Sequence, residues 1–225
     1  MSTSVENLLK ARQSTRAFLP DPVSRETVEH LLWAARRAPS GANLQPGSFH
    51  ALTGDALATL VTNMTRAIDD HRPQVAEYEW FPRPIPAHLK ARQRAAGYAL
   101  YQSLGIERRD IDGRRSQFKA NYRFFDAPLG IVVAIDRRMG EGGYMDLGMS
   151  IMALMLAAQD KGLGTVGIGA LANYADVVHE TLGLPEDEMV LCGIAIGTPD
   201  ESAVINSFRT EREPLESYAT LRGFD

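Results

Sequence analysis

The chain reads as one domain in which helices and strands share a core, and three observations predict it. Leu147 to Ala158 is uncharged and rich in Leu, Met, Ile and Ala, residues that lose little entropy in a helix. Leu129 to Ile135 and Met189 to Ile196 are continuous apolar runs of strand length, rich in Ile and Val. At 225 residues, with 44% hydrophobic and 23% charged residues, the chain has the size and composition of a single globular domain that needs no staples.

The elements follow in order. Val5 to Ala11 reads as a short helical start, and Met1 to Lys10 has neither an apolar core nor a basic leader, so a cytoplasmic protein is expected. In Arg12-Gln13-Ser14-Thr15-Arg16, an extended backbone puts Arg12, Ser14 and Arg16 on one face. Two guanidiniums and a hydroxyl converging there suit a phosphate, although the same pattern also describes a solvated surface. After the Pro20-Asp21-Pro22 turn, Ser24 is a plausible N-cap for a helix with the stripe Val28, Leu31, Leu32 and Ala35, ending by Ala38 before Pro39.

Pro39 to Gly47 is a loop of small and amide residues. Ser40, Asn43 and Gln45 offer the donors and acceptors that reading the edge of a heterocycle requires, or they bond their own backbone in a turn. Phe49 to Leu52 reads as a strand and Asp55 to Ile68 as an amphipathic helix. A long surface loop rich in Pro and aromatics, Arg72 to Pro86, comes next, and Ala87 to Leu104 is expected to be helical. The arginines of Glu107 to Arg115 are offset by acids and form a solvated face rather than a nucleic-acid patch.

The uncharged run from Leu147 is apolar all round and should have protein on every side, in a core or a subunit interface; it is too short and too closely bracketed by Asp146, Asp160 and Lys161 to span a membrane. Gly162-Leu163-Gly164-Thr165-Val166-Gly167 spells G-x-G-x-x-G, yet it follows a helix and enters a strand. That is the reverse of a dinucleotide-binding turn, so these glycines read as a helix stop and a close backbone approach. Tyr174 to Leu182 reads as a short helix. The tail from Thr198 is polar, with little means of packing on itself, and is either disordered or laid along another subunit.

A formal net charge of -4 gives no reason to expect nucleic acid or an anionic membrane. The single cysteine, Cys192, sits in an apolar run and reads as core, and the five histidines show no zinc-ligand spacing, so no metal is expected.

In order and spacing, the chain resembles the FMN-dependent nitroreductase family over nearly its whole length. The resemblance is carried by Arg12 to Arg16, by Pro39 to Pro46, by the long helix leading to Gly162-Leu163-Gly164-Thr165, and by Gly197 to Arg209 with its Phe208-Arg209. Asn121 to Pro128 and the insertion before it look most like the branch containing nitrobenzoate and dinitroaniline reductases. The resemblance implies an α+β fold on a small mixed sheet flanked by helices, an intertwined homodimer, FMN at its interface, and NADH or NADPH as electron donor to nitroaromatic substrates in a ping-pong cycle. It implies one domain, with an inserted region at about 69–120 and a C-terminal arm at 198–225.

It further implies that Arg12, Gln13, Ser14, Arg16 and Arg209 hold the phosphate and ribityl end. Pro39, Ser40, Gly41, Asn43 and Gln45 belong to the flavin cleft, partly from the partner subunit; Asn121 meets the pyrimidine side, and the N–H groups of Gly169 and Ala170 lie near flavin N5. Gly169 stands where relatives often carry Glu, Gly47 where many carry Trp, and Asn206 where a second basic residue is common. Tyr78, Trp80 and Phe81 could close over the pocket as an aromatic lid or anchor a surface loop, and Arg123 is placed to put positive charge near the pyrimidine edge. No general acid stands out. Alternatives with the same fold are an enone reductase or a reductive dehalogenase. A flavin-binding protein that turns nothing over and a purely structural dimer are alternatives of a different kind.

Overall fold

The structure, a computed structural model, describes residues 4–224; the first three residues and the last, at the ends of the expected N-terminal stretch and C-terminal arm, lie outside them. Among the described residues, eight helices and four strands run in the order α1 (Val5–Ala11), α2 (Arg25–Ala35), β1 (Ser48–Thr53), α3 (Gly54–Asp69), α4 (Ala87–Ser103), α5 (Ile111–Lys119), β2 (Leu129–Asp136), α6 (Glu141–Asp160), β3 (Gly164–Ile168), α7 (Ala175–Leu182), β4 (Glu188–Gly197) and α8 (Val204–Ser207). Each element expected from the sequence is present, most within a few residues of their expected bounds, whereas α6 begins at Glu141 rather than Leu147. Ser24 caps α2 as expected, its side chain accepting from Thr27 N.

The strands form one sheet in the order β1-β2-β4-β3, and all three strand pairs are antiparallel. The parallel part of the expected mixed sheet is confined, at this edge, to the isolated bridge Ser14↔Thr165 on the outer side of β3. Helices cover both faces. Ile131, Val133 and Ile135 of β2 point to α2 and α6 with Leu31, Leu147 and Leu154, while Val132 points to the opposite layer with Leu57, Leu60 and Met64 of α3 and Val178 of α7. Because β2 and β4 are central and covered on both faces, they have no solvent side, which is why they read as unbroken apolar runs.

Before β2, a 3-10 turn over Ala120–Asp126 ends with Phe124, Phe125 and Asp126 at φ of 51°, 53° and 57°. Left-handed angles are costly for large side chains and persist only where the surroundings impose them. Here the Phe124 ring fills hollows over two strand glycines: a Cβ on Gly130 would lie 2.9 Å from it and one on Gly193 3.0 Å.

The long helix α6 departs from expectation within the single chain. Gly143, Leu147, Ser150, Leu154 and Ala158 are buried at helical spacing, but Met145 is 71% and Met149 42% exposed on the other side. The helices α4 and α5 bury none of their residues in the chain.

The tail is divided. Its first part packs on its own chain: Leu19 N donates to Thr198 O, Phe18 bridges Pro199, and Asn206 is buried. That corrects the expectation for residues 198–206, which are integrated through backbone pairing rather than through apolar burial. Beyond them Leu215, Tyr218, Leu221 and Phe224 are exposed. Among the described residues no helix is long and apolar enough to cross a membrane.

Candidate active site

The glycine-rich turn after α6 builds one end of the site. Gly162 ends the helix at φ 75°, an angle that glycine adopts without strain. Gly164 lets the N-terminal segment come close, since a Cβ there would sit 2.4 Å from Thr15 Oγ1 and 2.7 Å from Thr15 Cβ. Thr15 is buried and its N–H donates to Thr165 O at 3.0 Å. The fingerprint is therefore a helix stop and a close approach, as its context implied.

Pinned there, the extended segment turns Arg12, Gln13, Ser14 and Arg16 into a cavity of about 600 Å³ that also receives Phe208, Arg209 and Arg212 from the tail. Glu6 lies at its rim but is bound to Lys10 at 2.7 Å. Burial first, and then the neighbouring cations Arg212 and Arg209, pull the Arg12 pKa below its ordinary value; burial does the same for Arg16. Crowded guanidiniums raise one another's free energy until an anion arrives, so the cavity favours a phosphate. Gln13 Oε1 is buried without a partner, an acceptor for a hydroxyl donor beside that anion.

Asn206 is the residue that sequence reasoning missed in this role. Its Oδ1 accepts from Arg16 N at 2.8 Å and Ala17 N at 3.3 Å, and its Nδ2 donates to Ala17 O at 2.8 Å and Asp200 O at 2.9 Å. It brings no charge; instead it fixes the backbone that carries the charge. A polar residue just upstream of Phe208-Arg209 was the only signal, and it named no partner.

A second cavity of about 580 Å³ brings together Trp80, Phe81, Asn121, Gly169 and Ala170, with Tyr78 on its wall. The three insertion aromatics have different fates. Tyr78 OH donates to Leu191 O at 2.5 Å, and burial raises its pKa, so it anchors the loop to β4. Trp80 and Phe81 are about half exposed at the cavity mouth. The loop is further fixed by Glu77, which accepts from Val190 N at 2.7 Å and from Arg137. Asn121 donates to Phe118 O at 2.8 Å, leaving its carbonyl oxygen without a bonded partner among the hydrogen bonds of the described residues. Arg123 pairs with Asp126 at 3.1 Å and lines a neighbouring cavity that Arg16 also lines, rather than this one.

The loop at 39–47 is built but stands apart. Gly41 N donates to Asp146 Oδ2 at 3.0 Å, Gln45 N donates to Ser40 Oγ at 2.9 Å, and Arg36 donates to Gly47 O at 3.0 Å and to Gln45 O. Gln45 Nε2 bonds Asn43 O at 3.2 Å, as a self-satisfied turn would. Pro39, Asn43 and Gln45 are exposed, beside the uncovered side of α6, and neither cavity is lined by them. Gly47, at φ 97°, lies against the Leu147 side chain, so a side chain there would be strained and would have to move Leu147 Cδ1. Among the described residues no group of three or more His, Cys, Asp or Glu is placed to hold a metal ion.

A cavity rich in arginine near one end of β3 and an aromatic-lined cavity near the other, on an α+β fold, suit a phosphorylated, flat organic group. The protein's lineage is plain: residues 9–198 match the nitroreductase family model, and the chain belongs to the nitroreductase family. It is 31% identical to a 4-nitrobenzoate reductase of Pseudomonas putida, covering 100% of this chain and 98% of that protein. It is 34% identical to a nitrobenzene nitroreductase of Ectopseudomonas oleovorans, covering 98% and 97%. Its structure overlays that of the FMN and NADPH-dependent nitroreductase NfnB from sphigopyxis sp. strain HMH with a TM-score of 0.96 at 35% identity, covering 99% of this chain and 100% of the other.

Proposed function

We propose that this protein is an FMN-containing, NAD(P)H-dependent oxidoreductase that reduces nitroaromatic compounds. The observation that carries the reading is the convergence of Arg12, Arg16, Arg209 and Arg212 on one cavity whose single acid is already paired. When bound, FMN supplies a ring that takes a hydride from the nucleotide and passes electrons to the acceptor in a ping-pong cycle.

The chain's own residues bind and orient. Arg12, Arg16 and Arg209 hold the phosphate, Ser14 and Gln13 meet the adjoining hydroxyls, and Asn206 fixes the backbone between Arg16 and Ala17. Asn121 and the N–H groups of Gly169 and Ala170 face the ring from the second cavity. Trp80 and Phe81 line that cavity and present apolar faces to an aromatic acceptor.

We further infer a homodimer. The uncovered side of α6 carries Tyr144, Met145 and Met149, and Tyr218, Leu221 and Phe224 stand exposed on the tail. A second copy seated there would cover this apolar surface and would bring Pro39, Ser40, Gly41, Asn43 and Gln45 to the cofactor of its neighbour. In this reading the chain is a single domain with an insertion at 69–120 and an arm at 198–225. We assign it to the cytoplasm, where NAD(P)H is held.

The test is a visible spectrum of the purified protein, followed in the same cuvette by anaerobic NADPH or NADH and then by a nitrobenzoate. A flavin spectrum that bleaches and then returns on adding the acceptor is the expected result. A protein that stays colourless after incubation with FMN refutes the proposal.

A further inference from the structure

Gly169 has no left-handed backbone angle that would call for glycine, so its lack of a side chain has another cause. A Cβ built there would lie 3.1 Å from each of Trp80 Cε2, Cη2 and Cζ2. The benzo ring of the indole thus rests on the Gly169 backbone in the space that a side chain would fill. The ring is supported on its other sides by Tyr78, with centroids 5.9 Å apart, and by Phe81 edge-on at 6.4 Å. Tyr78 is itself tied to β4 through Leu191 O. Trp80 is 53% exposed, yet it is seated in a built place rather than free on a loop.

Phe118, Ala170 and Ala172 supply apolar faces to the rest of that cavity, and Asn121 and Asn173 polar ones, while its two charged residues, Glu79 and Arg83, pair with each other at 3.0 Å. With the indole down on Gly169, Trp80 forms one aromatic wall of this cavity, which Phe118 also lines, and aromatic walls favour a ring that can stack on them.

We propose that Trp80 is a specificity-determining residue and that Gly169 is the seat that lets it act: the pair restricts the second cavity to flat aromatic acceptors. This rests on the flavin reductase reading above and deepens it. A side chain at position 169 lifts the indole, removes one wall of the cavity and admits bulkier acceptors.

The test begins in a Trp33→Phe background, because Trp33 and Trp80 are the chain's two tryptophans. In the apoprotein, Gly169→Val is expected to raise acrylamide quenching of Trp80 fluorescence about twofold, with Gly169→Ala in between; far-UV circular dichroism confirms that each variant is folded. In the loaded enzyme, Gly169→Val and Trp80→Ala are each expected to raise KM for nitrobenzoate roughly 3- to 10-fold, the scale of one lost aromatic contact. Both should narrow the preference for nitrobenzoate over a nitrobenzene bearing an ortho tert-butyl group by a similar factor. Adding Gly169→Val to Trp80→Ala should then change nothing further. Unchanged quenching in folded Gly169→Val, or effects of the two substitutions that multiply independently, overturns the proposal. The quenching arm needs no cofactor, so a failure to bind FMN is told apart from a failure of the Trp80 seat.

Discussion

Asn206 offers the sharpest test of how the basic cavity is held. Its side chain is 7% exposed and makes hydrogen bonds to Arg16 N, Ala17 N, Ala17 O and Asp200 O, the longest of them 3.3 Å. A buried hydrogen bond contributes about 1 kcal/mol net, and more when its loss strands a partner away from water. Replacing Asn206 by Leu removes the whole set at nearly constant volume, so a loss of about 3 kcal/mol is expected. For a chain of this length that is roughly 6 to 12 °C in Tm by scanning calorimetry. Asn206→Asp separates geometry from charge. It keeps the acceptor for Arg16 N but sets a second carboxylate oxygen against the Ala17 and Asp200 carbonyls, so it too should destabilise despite adding a charge beside Arg16. Because Arg16 N is one of the bonds lost, FMN affinity by fluorescence titration should fall about tenfold or more in both variants. A Tm within 2 °C of the parent, or an Asn206→Leu protein that binds FMN normally, would show that Arg16 is positioned by something else.

Two other outcomes follow from the titrating groups. Burial opposes ionisation of Glu77, but the hydrogen bonds from Arg137 and Val190 N, with His179 nearby, outweigh it and hold its pKa below the ordinary 4.5. A lowered carboxyl pKa stabilises the fold fully above about pH 4.5 and loses that contribution as pH falls through the lower folded value. Glu77→Gln should therefore lower stability near neutrality and flatten its acid limb, as read by urea unfolding across pH 3–7; an unaltered pH profile would remove Glu77 from the acid response. Burial pushes the Cys192 thiol up to about 12, so it should resist iodoacetamide in the folded protein at pH 8 and react only on unfolding. Rapid labelling of the native protein would contradict its burial.

Local chemistry was sufficient for much of this. The order and type of the elements, the Ser24 cap, the Gly162 stop and the shared face of Arg12, Ser14 and Arg16 depend on propensity, periodicity and backbone angles, all of which act within a few residues. The reading of the glycine fingerprint came from its place after a helix, which is also local. Other questions were settled across the sheet. Phe124 adopts a left-handed angle because Gly130 and Gly193 leave it a hollow, and the second of those is far along the chain.

The same division runs through the site. Sequence placed Tyr78, Trp80 and Phe81 in one group, since nothing in their order distinguishes an anchor from a wall. Tertiary contact with Leu191 O and Gly169 separated them. Sequence likewise records Asn206 only as a missing charge, because 190 residues of separation from Arg16 hide the contact. The chain by itself determined which groups could hold a phosphate. Only the folded structure decided which of them are aimed at one point, because hydrogen bonds between distant segments fix direction and periodicity does not.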